Sequence, residues 1–255
     1  MGDLALNAII LAAGEGTRLR PLTNHKPKGL VELFGKNILK RQIDTFISSG
    51  ITDISIVTGF NAEMINFPYI NYFHNPNFKT TNMVETLFCA KEKLNESTII
   101  SYGDIIFDEN ILSQIISSSE NSTLAIDYDW QKKYHDNSNA LLDKVSVVTL
   151  ENNSIINIGY YENFKNFKNL VFGEFIGLMK ISESTIIQLI EQYNHLQKNH
   201  QGKFHDSPSI HFGIITDMIN ELLKNKMKFS ATKISGKWCE IDTLQDLEIA
   251  KKIFK

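Results

Sequence analysis

Short apolar runs alternate along the chain with longer stretches whose apolar positions recur at helical spacing. Asn7-Ala8-Ile9-Ile10-Leu11-Ala12 is apolar on both of its alternating faces and runs into a glycine loop, which predicts a strand buried on both sides. Ile38, Leu39, Ile43, Phe46 and Ile47 fall at helical spacing, and Gly50 stops that helix. Asp53 to Val57 predicts a second strand and Tyr69 to His74 a weaker third. Asn82, with Glu85 three residues on, predicts a capped helix reaching about Leu94. Thr98 to Tyr102 predicts another strand, closed by Gly103-Asp104. Strands alternating with helices in this way argue for a doubly wound α/β half with right-handed crossovers.

The pattern then changes. Ser122 to Asp129, Lys144 to Leu150, Ile155 to Tyr161 and Val171 to Ile181 read as strands in near succession, so antiparallel or mixed additions to the same sheet are expected. Helices are predicted over Glu183 to Lys198 and Ser209 to Lys224, a late strand over Lys228 to Ile234, and a final helix capped by Thr243 with Asp246. No linker rich in proline, glycine or serine divides the 255 residues, and no internal repeat follows the α/β part. The expected fold is therefore α/β: a single domain over 1–255 with a Rossmann-like mixed, mainly parallel sheet flanked by helices.

Composition narrows the class. Hydrophobic residues make up 42% and charged residues 22%, values of a globular chain with a sizeable core. The formal net charge of −3 lacks the basic excess of a general nucleic-acid binder. Cys89 and Cys239 are far apart and form no CxxC pair, so neither a zinc ribbon nor a disulfide framework is expected; two reduced thiols fit the cytoplasm. The apolar run Leu4 to Ala13 is preceded by Asp3 instead of basic residues and is too short for a bilayer, which takes about 20 apolar residues, so neither a leader nor a membrane span is read there. No pattern fixes an oligomeric state, and an oligomer stays open.

The candidate chemistry begins where the first strand ends. Leu11-Ala12-Ala13-Gly14-Glu15-Gly16-Thr17-Arg18-Leu19-Arg20-Pro21-Leu22-Thr23 is followed by Lys26-Pro27-Lys28. The carboxyl end of a strand in an open α/β sheet is where ligands bind, small residues let backbone approach a phosphate, and Arg18 and Lys28 add positive charge. Leu19 stands where a dinucleotide fingerprint needs its third glycine, and no Gly-Lys-Ser or Gly-Lys-Thr of a Walker loop occurs. Two glycines alone would be read as a tight turn beside a solvated arginine. The whole string is more specific: it resembles the signature of sugar-phosphate-type nucleotidyltransferases. The downstream string Trp238-Cys239-Glu240-Ile241-Asp242-Thr243, with Asp246-Leu247, and the segment Thr80 to Leu87 are similar to the phosphocholine and 2-aminoethylphosphonate cytidylyltransferase branch.

The resemblance implies a site and a reaction. Residues 1–120 would form the nucleotide-binding half and 121–255 the acceptor-binding half, which also carries the second metal ligand. Leu11, Ala12, Ala13, Gly14, Glu15, Gly16 and Thr17 would hold base and phosphates, with Asn82, Tyr102 and Gly103 lining the same pocket. Arg18 would meet the departing phosphates and Lys28 the α-phosphate. Asp104 and Asp242, each at a strand terminus, would bind Mg2+, a hard cation that takes carboxylate and phosphate oxygens. Either aspartate by itself reads equally well as a turn or cap. Asp129, Glu174, Trp238 and Glu240 would contact the acceptor, although core burial is the ordinary reading of both Trp130 and Trp238. The implied reaction transfers CMP from CTP to a small phosphorylated acceptor. That acceptor is the N-phosphorylated amide of glutamine used in capsular phosphoramidate synthesis, or phosphocholine or 2-aminoethylphosphonate. For an amino-acid acceptor, Lys132, Lys133 or a loop histidine could meet the carboxylate. A sugar-1-phosphate enzyme using another nucleotide and a non-catalytic nucleotide sensor are the rival readings. His195, His200, His205 and His211 show no zinc spacing and read as a solvated loop; His74 and His135 carry no signal.

Overall fold

The structure, a computed structural model, describes residues 6–134, 144–166 and 171–255. The chain opens with β1 (Leu6–Ala12), a small hairpin of β2 (Glu32–Leu33) and β3 (Lys36–Asn37), and helix α1 (Ile38–Ser48). It continues through β4 (Ile54–Thr58), β5 (Asn71–His74), α2 (Met83–Cys89), β6 (Ser97–Tyr102), β7 (Ile105–Phe107), α3 (Glu109–Ser117) and β8 (Thr123–Asp127). The second half holds β9 (Ser146–Glu151), β10 (Ser154–Tyr160), β11 (Val171–Ile181), α4 (Glu183–Asn199), α5 (Ile215–Lys224), β12 (Ser230–Lys233), β13 (Trp238–Glu240) and α6 (Leu244–Ile253).

Nine strands form one sheet in the order β5-β4-β1-β6-β11-β8-β12-β10-β9. Pairing is parallel from β5 to β6 and between β8 and β12; every other pairing in this sheet is antiparallel. The sheet is thus mixed, with its parallel part concentrated in the first half. That follows from the sequence: crossover helices separate the early strands, whereas β9 and β10 are joined tightly enough only for antiparallel pairing. β1 is buried on both faces because Ala8 and Ile10 pack against α1 and α3, while Ile9 and Leu11 join the core under α2, α4 and α5. Among the described residues no helix is long and apolar enough to cross a membrane.

Three elements depart from the sequence pattern. The helix expected to reach Leu94 ends at Cys89, and a 3-10 turn over Lys91–Lys93 carries Leu94 into the core. The helix expected from Ser209 begins at Ile215: Ile210–Phe212 form a separate 3-10 turn, Gly213 is extended, and the Asp217 carboxylate accepts the Ile214 N–H at 3.1 Å, starting the helix afresh. Helix α3 was not anticipated, although Asp108 caps it by accepting the Ile111 N–H at 3.1 Å and Ile111, Leu112 and Ile115 are buried.

β11 is the strand that joins the halves. Its first residues pair with β9 and β8, and Leu178 to Ile181 pair with β6. The register against β8 shifts between Phe175 and Met179. Gly177 lies inside that shift at φ +81°, and a Cβ there would sit 2.5 Å from the Tyr102 ring, so only glycine lets the strand bend across β6 at this point.

Candidate functional site

The site is assembled by a small apolar cluster beneath the glycine loop. Leu19, Val31, Leu33, Ile38, Ile106, Cys239, Ile241 and Leu247 pack together, and Leu19 and Ile241 are fully buried. The loop after β1, the β6–β7 turn and the turn before α6 are thereby drawn to one place by hydrophobic burial. β13 pairs with β7 in a register that sets Glu240 opposite Ile105. The Ile241 N–H then donates to the Asp104 carbonyl at 2.9 Å, so the two acid-bearing turns are bonded to each other.

Local chemistry shapes the loop. Gly16 is left-handed at φ 68°, ψ 44°, its carbonyl accepts the Thr23 hydroxyl at 2.7 Å, and a 3-10 turn over Thr17–Leu19 sends Leu19 inward and Arg18 outward. A Cβ on Gly16 would fall 2.6 Å from the Lys28 Cβ, so the glycine makes room for the lysine stem. Gly103 donates its N–H to the Leu11 carbonyl at 2.9 Å, and a Cβ there would strike that same carbonyl, so β1 and the Asp104 turn lie in direct contact.

Three carboxylates converge: ligand oxygens of Asp104, Glu240 and Asp242 all lie within 4.8 Å of one another. Lys28 stands among them, with its ammonium 2.7 Å from Asp104 Oδ2 and bonded also to Asp242 Oδ1. Arg18 pairs with the other oxygen of Asp242 and keeps 68% of its side chain exposed, free to face a ligand. Burial works against the Lys28 charge, but Asp104, Asp242 and Glu240 outweigh it and hold the amine above its ordinary range. The Glu240 carboxyl is pushed well above the usual carboxylate range by desolvation and by repulsion from Asp104 and Asp242. The Tyr102 phenol is raised by burial and then by Asp104 and Glu240.

This donor set fits a hard divalent cation. Asp104 Oδ1 is buried with no hydrogen-bond partner, an arrangement that is costly unless something electropositive meets it. Asp104 lies between β6 and β7 and Asp242 lies past the end of β13. Glu240, expected to face the acceptor, stands with them in the acid cluster.

The remaining candidates divide. Tyr102 packs edge-on against Phe175 beside the site, and buried Glu174 on β11 pairs with Asp127 on β8, near enough to Glu240 to add to its repulsion. Asn82 caps α2 by accepting the Met83 N–H at 2.9 Å and remains exposed. Asp129 does not reach the cluster; it lies beyond β8 on the surface, 2.5 Å from the Lys132 ammonium. Trp238 is placed in the core, where its indole N–H donates to buried Asp127 Oδ2 at 2.9 Å, and Trp130 is buried against Tyr161. Asp127, two residues before the expected Asp129, is the buried last residue of β8, and Asp129 lies past the end of the strand. The Tyr160 phenol is raised by burial and by Asp217, Asp206 and Glu162, with Arg18 opposing them.

The histidines do not gather. His195 contacts Asn199, His200 the Lys203 carbonyl, His205 Glu221 and His211 Glu85. His135 and the Lys133 side chain lie outside the described residues.

Comparison with known proteins agrees with this geometry. The nucleotidyl transferase family profile matches residues 7–86. The chain is 31% identical to the CTP:phosphoglutamine cytidylyltransferase of Campylobacter jejuni, over 96% of this chain and 98% of the relative. It is 33% identical to the choline-phosphate cytidylyltransferase of Streptococcus pneumoniae over 45% of this chain and 52% of that one. The solved CTP:phosphocholine cytidylyltransferase of Streptococcus pneumoniae superimposes with a TM-score of 0.72 at 21% identity, covering 99% of this chain and 100% of that one.

Proposed function

Because this chain belongs to the nucleotidyltransferase family, we propose that it transfers CMP from CTP to a small phosphorylated acceptor and releases pyrophosphate. The supporting observation is the convergence of Lys28, Asp104, Glu240 and Asp242 at the mouth of the glycine loop. We take the acceptor to be the N-phosphorylated amide of glutamine, in line with the name of the Campylobacter jejuni relative and the near-complete overlap with it. Capsule modification is the setting that acceptor implies, and the cytoplasm is the compartment that suits CTP and the two free thiols.

In this reading an anionic oxygen of the acceptor attacks the α-phosphorus of CTP in line. The new P–O bond forms as the bond to the β-phosphate oxygen breaks, and pyrophosphate carries away the electron pair. The nucleophile is already ionised, so no side chain need remove a proton. The protein's contribution is positioning and charge balance. The Leu11–Thr17 backbone, with Gly103 against it, cradles the nucleotide. Lys28, held charged by its acids, turns toward the α-phosphate. Arg18 exchanges Asp242 for the departing phosphates. Asn82 reads the cytosine edge. Asp104, Asp242 and Glu240 would hold Mg2+, which supplies Lewis-acid polarisation of the α-phosphate when bound. Glu174, on the acceptor side, favours a second reading in which the acceptor bears an exposed ammonium, as in phosphocholine or 2-aminoethylphosphonate.

The test pairs CTP, UTP, GTP and dTTP with these phosphorylated acceptors, follows pyrophosphate and identifies products by mass spectrometry. CTP-selective turnover with phosphoglutamine, lost with EDTA and restored by Mg2+, is expected. Turnover with a sugar 1-phosphate and another nucleotide, or CTP binding with no turnover of any acceptor, would reject the proposal.

A further inference from the structure

One polar residue lies on the apolar face of α1. Gln42 is 1% exposed and shares the buried side of the helix with Ile38, Leu39, Ile43 and Phe46. A buried carboxamide must find partners, and this one finds them all in the segment that carries Asp104. Its Nε2 donates to the Tyr102 carbonyl at 2.8 Å and to the Ile105 carbonyl at 2.7 Å, and its Oε1 accepts the Ser101 hydroxyl at 2.8 Å. The reversed amide would set an oxygen against two carbonyl oxygens, so the network fixes its orientation.

The two carbonyls bracket the metal-binding turn. Within it, the Gly103 N–H goes to Leu11 and the Asp104 carbonyl receives Ile241. Each residue from Tyr102 to Ile105 is thus pinned through its backbone, and Gln42 supplies the pins at both ends. We propose that Gln42 is a positioning residue that fixes the Asp104 turn from beneath and so sets the affinity of the acid cluster for its divalent cation. Through this amide helix α1 determines where the Asp104 carboxylate stands. The inference rests on the metal reading of the cluster above.

The probe is Mn2+ binding in the presence of CTP, read by electron paramagnetic resonance. Gln42→Met keeps the volume and removes every hydrogen bond to the turn. Its Mn2+ dissociation constant is expected to rise on the order of tenfold or more, the scale seen when the supports of a metal ligand are removed. Ser101→Ala loosens the amide without removing its two donors and should give a smaller rise of a few fold, which keeps the test available if Gln42→Met folds poorly. Phe46→Leu, on the same buried face and packed against Phe107, serves as a stability control. It should lower the melting temperature while leaving Mn2+ affinity within about twofold. Wild-type affinity in Gln42→Met, or an equal loss in Phe46→Leu, overturns the positioning role. A wild-type protein that binds no Mn2+ overturns the metal reading itself, a different failure from the first two.

Discussion

Replacing Gly16 by alanine tests whether the loop and the acids form one machine. Residue 16 has φ 68°, where an L side chain costs about 1–2 kcal/mol. The new Cβ would lie 2.6 Å from Lys28 Cβ, 3.0 Å from Cγ and 3.2 Å from Cδ. Those are the root atoms of the lysine, not its flexible tip, so relief requires moving the stem or the loop, at roughly 1–3 kcal/mol more. The sum, about 2–5 kcal/mol, should lower the melting temperature by roughly 5–15 °C for a chain of this size. The larger effect should be kinetic. The Lys28 ammonium is held between Asp104 and Asp242, and a displacement of about 1 Å at a reacting centre costs on the order of 100-fold. Pyrophosphate release with CTP, Mg2+ and acceptor, measured well below the melting point, should therefore fall about 100-fold in kcat. In a Lys28→Met background, Gly16→Ala should add little further loss of rate, because both changes remove the same ammonium from the same place. Normal turnover in Gly16→Ala, or fully additive losses in the double variant, would refute the coupling.

Three further outcomes follow from the same geometry. Asp104→Asn should cut turnover at least 100-fold, whereas Glu240→Gln should mainly raise the Mg2+ requirement, on the order of tenfold; Mg2+ titrations of each variant check this. Trp238→Phe takes the indole donor from the buried Asp127 carboxylate and should cost about 1.5–3 kcal/mol in urea denaturation while leaving both Michaelis constants unchanged; a raised acceptor constant would return Trp238 to the acceptor site. Asn82→Ala should lower the preference for CTP over UTP by roughly fivefold to tenfold, seen in the ratio of kcat/KM values, and an unchanged ratio would remove Asn82 from the base pocket.

What the sequence disclosed was mostly what is contiguous. The string Leu11 to Lys28 carries its meaning in one stretch, and Asp104 and Asp242 show themselves at the ends of short apolar runs. Convergence was harder to see. Glu240 joins Asp104 and Asp242 because β13 pairs with β7 at Ile105, a register no local pattern reveals. Asp127 and Asp129 stand two apart, so alternation cannot separate them; what does is where β8 ends, since Asp127 is its last, buried residue and Asp129 lies on the surface past it. Helix α3 has a cap and a buried face, but its isoleucines are β-branched and serve a strand equally well. The helix expected from Ser209 started late because a buried carboxylate, Asp217, claims the Ile214 N–H, a tertiary choice written over local propensity.

The bend at Gly177 has a mechanical consequence. Through it one strand pairs with β6 over Leu178 to Ile181 and with β9 over Val171 to Glu174, so the early and late parts of the sheet share one continuous ladder of backbone bonds. Rim segments can then vary in sequence while the spine beneath keeps its shape.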